Sequence, residues 1–132
     1  MSNPYINVYM NNPTEGGTDG TAISTDGAQT SPLTMTLDAS VNETKTAKLA
    51  LRCEAGYTTT GNTTITDYND TNDRWKFGFS TSGTFSDTIV FTSAIGTSNT
   101  IFYAQASSSS LESPTRDTSV SMRVNTVIQA TA

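Results

Sequence analysis

Apolar and polar positions alternate with a period of two in one stretch after another, and this period predicts strands. In 33–37, Leu33, Met35 and Leu37 fall on one face with Thr34 and Thr36 on the other. In 46–54, Ala47, Leu49, Leu51 and Cys53 share one phase, while Lys48, Ala50, Arg52 and Glu54 take the opposite one. A pleated strand points successive side chains to opposite faces, so one register buries the apolar set and a one-residue slip would expose it. The stretch 74–79 sets Trp75, Phe77 and Phe79 against Arg74 and Lys76. Further strands are expected over 88–92, 100–106 and 118–129, the last alternating Val120, Met122 and Val124 with Ser119, Ser121 and Arg123 and continuing through Val127 and Ile128. Residues 63–66 predict a weaker strand, 5–10 a short β-favouring run and 21–24 a second short one.

Polar, turn-forming clusters separate these stretches: Glu15 to Gly20, Ala55-Gly56-Tyr57, Thr81-Ser82-Gly83 and Ser107 to Pro114. Seven or eight strands at this spacing, with no helical period and no tandem repeat, give an all-β chain folded as a sandwich or small barrel. The 132 residues suit one domain. The Gly-rich stretch after Met10 divides it into an N-terminal arm and linker, 1–31, and a sandwich, 32–132.

Composition removes chemistry more than it adds any. Close to a third of the chain is Ser or Thr, and it contains no His, so neither a Ser-His-Asp nor a Cys-His arrangement can form within it. Cys53 is the only cysteine, which rules out an intrachain disulfide and places a single thiol in the apolar phase of a strand. With a net charge of -5 and seven Lys plus Arg scattered along the chain, no basic stripe exists to neutralise phosphates, and no nucleic-acid partner is expected. No stretch approaches the roughly 20 apolar residues of a membrane helix, and no signal-peptide pattern opens the sequence, so assembly in a reducing cytosol is the expectation.

Asp67-Tyr68-Asn69-Asp70-Thr71-Asn72-Asp73 gathers oxygen ligands at short spacing, but Asn72 and Gly78 stand where a calcium loop of the EF-hand kind needs Gly and Glu. A polar loop without metal is the expectation. Glu15 to Gly20 lacks the Lys of a phosphate-binding loop, and nothing in the pattern pairs Glu43, Glu54 or Glu112 for acid–base work. The chain is therefore expected to be no enzyme and to need no cofactor.

From Pro32 to Val124 the chain resembles the immunoglobulin-like domains of tailed-phage virion proteins. The residues that carry the resemblance are Pro32-Leu33 and Leu37-Asp38-Ala39, the strand Lys48 to Cys53 followed by Gly56-Tyr57, then Trp75, Asn99 to Ala104, Glu112-Ser113-Pro114 and Asp117 to Val124. The resemblance implies an immunoglobulin-like β-sandwich whose last two strands form a hairpin with a hydroxyl-rich tip at 107–113, and whose cohesion centres on Trp75. It implies a virion component too, and a separate chain filled by one such domain fits a capsid decoration protein. Its partners would be the major capsid protein and further copies of itself in a homo-oligomer, on the capsid exterior. The alternatives are a tail-associated module or one that binds a carbohydrate or host surface through Tyr57, Tyr68 or the 107–113 tip. Tyr5, Ile6, Val8, Tyr9 and Met10 form a charge-free run that suits docking onto a strand edge of a partner. The same run equally suits an edge strand of the sandwich itself.

Overall fold

The computed structural model describes residues 5–23, 43–68, 75–107 and 121–131. Eight strands appear among them: β1 (Ile6–Met10), β2 (Thr21–Ala22), β3 (Thr44–Cys53), β4 (Tyr57–Tyr68), β5 (Trp75–Gly78), β6 (Thr88–Phe91), β7 (Thr100–Ser107) and β8 (Ser121–Ala130). They form two antiparallel sheets, one in the order β2-β1-β3-β7-β5 and the other in the order β6-β4-β8. The all-β sandwich expected from the alternation is the fold, and it is consistent with an immunoglobulin-like arrangement. Consecutive strands β3 and β4 lie in opposite sheets and pair with β7 and β8 respectively, so the chain interlocks the two layers.

The core follows the period of the sequence. Leu49, Leu51 and Cys53 of β3, Phe77 of β5, Ile65 of β4, Ile89 and Phe91 of β6, and Phe102 and Ala104 of β7 meet between the sheets. Phe102 is fully buried at the centre, with tilted and edge-on ring contacts to Phe77 and Phe91 at 6.4 and 5.8 Å. The expected anchor, Trp75, is only half-buried and packs against the margin of this cluster. It stands on β5, which pairs with β7 on one side and on the other is bridged only at Phe77, to Ser86, so Trp75 lies at the end of the sheet and not between its strands. Of the apolar positions expected in the last strand, Met122 and Val124 pack against the cluster as well, and Val120 lies outside the described residues.

The predicted closing hairpin is also corrected. β7 is flanked by β3 on one side and β5 on the other, so it has no edge left for β8, which pairs with β4 in the opposite sheet. The hydroxyl-rich segment 108–113 lies outside the described residues, as do the predicted strand at 33–37 and most of the acidic loop at 69–73.

β1 is a strand of the five-stranded sheet. Ile6 to Tyr9 pair with Cys53 to Ala50, while Tyr9 and Met10 pair with Ala22 and Thr21. The weak strand expected at 63–66 is the middle of a twelve-residue strand, the central one of its sheet.

Candidate functional site

The five residues singled out for docking do not form one exposed patch. Val8 belongs to the core cluster, Ile6 and Met10 pack against it, and Tyr9 is buried on the opposite face of the sheet. Tyr5 alone is substantially exposed, at 45%, and its ring stands edge-on to Tyr57 at 5.0 Å. β1 pairs with β3 from Ile6 to Tyr9 and with β2 at Tyr9 and Met10, so the segment is part of the sheet and not a separate arm.

What buries Tyr9 is the loop from Asn11 to Gly20, which folds back over the outer face of the sheet. Asn11 and Asn12 turn it with left-handed backbones, φ 67° and 59°, a conformation that asparagine tolerates better than most residues. Gly20, at φ 109°, lies so close that a Cβ there would stand 3.0 Å from the Tyr9 Cβ and 3.1 Å from the Met10 carbonyl. Only glycine fits this approach.

Asn99 pins the loop. Its carbonyl accepts from Gly16 N at 3.0 Å, its own N–H donates to the Gly17 carbonyl at 2.7 Å, and its Nδ2 donates to the Thr14 carbonyl and to Asp19 Oδ1, both at 2.9 Å. Arg52 Nη1 donates to the Asp19 carbonyl and to Asn99 Oδ1 at 2.8 Å each. The Arg52 guanidinium also lies over the Tyr9 ring, 3.6 Å from its centre, as a cation–π contact. Beyond it, Tyr9 Oη and Asn7 Nδ2 both donate to Glu54 Oε2. Asp19 is held below the usual carboxylate range by hydrogen bonds from the Thr14 backbone N–H and hydroxyl. Burial, and then the hydrogen bond to Glu54, push the Tyr9 phenol up. This is a structural clasp: every polar group in it serves another group of the same chain. The sequence could not show it, because Asn7, Asn99 and Arg52 are brought together only by the fold.

The opposite outer surface is of another kind. On the three-stranded sheet the outward positions are Thr58, Thr60, Thr64 and Thr66 of β4, Thr88 and Val90 of β6, and Arg123, Asn125, Val127 and Gln129 of β8. Val127 is 63% exposed and Val90 41%. Arg123 is the one charged side chain among these positions, on a chain of net charge -5. Interface centres are depleted of charge in the same way.

Cys53 is buried, its thiol 3.4 Å from the Ile95 carbonyl, and burial followed by the nearby Glu54 charge pushes its pKa up, away from a reactive thiolate. Among the described residues no group of three or more metal-ligating side chains is brought together. No family model matches the chain, and neither the curated proteins nor the solved structures compared with it yield a match.

Proposed function

We propose that this chain is a structural virion protein of a tailed phage, a decoration module that docks on the outer surface of the capsid lattice. The observation that carries the reading is the outer face of the β6-β4-β8 sheet, exposed, nearly free of charge and bearing Val90 and Val127. A face of this composition suits contact with protein more than the acidic remainder of the surface does. The resemblance from Pro32 to Val124 supports the virion setting, and docking passes from the β1 segment to this face because β1 is taken up in the sheet.

The test is co-sedimentation of the recombinant chain with empty capsids from the source that encodes it. Saturable binding at a fixed ratio to the capsid subunit supports the proposal, and a chain that stays in the supernatant at every concentration refutes it. The exposed Tyr5 against Tyr57 favours a second reading, a host-surface or carbohydrate-binding module, since aromatic rings at a surface can stack on sugars. Glycan binding that Tyr5→Ala abolishes, in a chain that ignores capsids, would put this reading first.

A further inference from the structure

Among the described residues, three of the four strands that end the two sheets are short: β2 has two residues, and β5 and β6 have four each. β8 is the exception, with ten residues, and among the described residues it pairs with β4 alone. An edge of that length presents a row of N–H and C=O groups ready for another strand, and proteins ordinarily blunt such edges with Pro, Lys or a bulge. β8 carries no Pro and no Lys, and Arg123 is its single charge. The extra residues of the irregularity in its ladder belong to β4. Burial marks the same edge. Leu49 and Leu51 of β3 and Ile65 of β4, strands with a neighbour on each side, are fully buried. Met122, Val124 and Ile128, the apolar row that β8 turns inward, are only half-buried.

We infer that β8 is a dimer seam, along which two copies of this chain pair antiparallel about a two-fold axis at Asn125. The inference goes beyond the proposed function and does not rest on it. The sequence of the strand selects a second copy as the occupant. An added strand must bring apolar residues into phase with Met122, Val124 and Ile128 and set no like charge against Arg123. Antiparallel pairing of β8 with itself about Asn125 meets both conditions. On the inner side Met122 falls opposite the partner's Ile128, and Val124 opposite the partner's Thr126. On the outer side Arg123 falls opposite the partner's Val127, so its methylenes gain an apolar neighbour. The two Arg123 then stand about 14 Å apart, four residues along and one strand across, which exceeds the Debye length of about 8 Å. At the axis the exposed carboxamide of Asn125 meets its own copy, and such a group both donates and accepts. Pairing over 121–129 supplies about nine backbone hydrogen bonds between the chains, close to the roughly ten of a standard interface. The product is one continuous sheet of two β6-β4-β8 halves, with the outer faces of both copies on the same side.

Sedimentation equilibrium of the full chain tests it, with Asn125→Lys, Asn125→Asp and, as a control on the far loop, Thr18→Lys. Asn125 is exposed, so neither substitution there disturbs the core, and circular dichroism verifies the fold of each variant. Across the axis each substitution sets two like charges face to face, which weakens the pairing. The expected result is a native dimer whose affinity falls about tenfold or more in Asn125→Lys and in Asn125→Asp, while Thr18→Lys behaves as the native chain. An equal mixture of the Lys and Asp variants should recover the dimer, because opposite charges then meet at the axis; a surface elsewhere on the molecule would not respond to the mixture in this way. A native chain that stays monomeric at every soluble concentration overturns the inference and leaves the edge to a strand of another sequence. A dimer that Asn125→Lys leaves intact, or a mixture that does not recover it, overturns the seam as well.

Discussion

Phe102 is the largest of the fully buried side chains described, and it touches aromatic rings from both sheets. Phe102→Ala should cost about 3–5 kcal/mol, a large part of the total for a domain of this size. Urea unfolding checks it, and a cost under about 1 kcal/mol would mean that the site collapses to fill the gap. A second prediction concerns alkaline pH. Cys53 and Tyr9 both have pKa values raised in the fold, chiefly by burial, so the unfolded chain gives up these protons first. Their contribution is complete below the ordinary thiol and phenol values, about 8.5 and about 10, and fades as pH rises past them toward the folded values. The melting temperature should therefore fall from about pH 8.5 upward, and Cys53→Ala should flatten the first part of that fall. The buried face of Leu49, Leu51 and Cys53 was legible in the alternation alone, whereas 88–92 and 100–106 are apolar in both phases and left the burial of Ile89 and Phe102 to the fold. Ala50 was not legible either, since it sits in the polar phase between Lys48 and Arg52 and is nevertheless fully buried. Tyr9 and Ile101 flank it across the sheet, on the face over which the Asn11–Gly20 loop folds, and no local pattern encodes such a cover.

Among the elements, β1 shows where local reading stops. Its composition said strand, and its Gly-rich neighbour said linker; neither said which sheet would receive it. The register with β3 and the burial of Val8 and Tyr9 answer that, and they change what a truncation does. Removing residues 1–12 takes away the β1 partner of Ala50 to Cys53 and three buried side chains, Asn7, Val8 and Tyr9, and it leaves Arg52 and Glu54 without Tyr9. The truncated chain should be unfolded or molten, with its near-ultraviolet circular dichroism lost. A cooperative, native-like melt would instead mean that β3, β7 and β5 hold their sheet without β1. The expected closing hairpin went astray for a related reason. The resemblance implied that the last two strands pair as a hairpin, yet β7 already has β3 and β5 on its two edges, and only long-range pairing decides that.

At the scale of the molecule, charge separates two ways in which a lattice could hold this protein. Twelve carboxylates against seven cations make the whole chain acidic, so docking through its general surface would depend on cationic patches of the capsid and would weaken steeply with salt. The outer face of the β6-β4-β8 sheet carries Arg123 alone among its outward positions, and a contact made there is dominated by desolvation of Val127, Val90 and the threonine rows rather than by ion pairing. Such a contact is not screened. Raising salt also damps the long-range repulsion between an acidic ligand and neighbouring bound copies, which acts in the opposite direction to the loss of ion pairs. Affinity for capsids should therefore stay level, or rise slightly, as salt goes from about 0.05 M to about 0.5 M. Co-sedimentation across that range checks it. A fall of tenfold or more would move the contact onto the acidic surface and away from the sheet face.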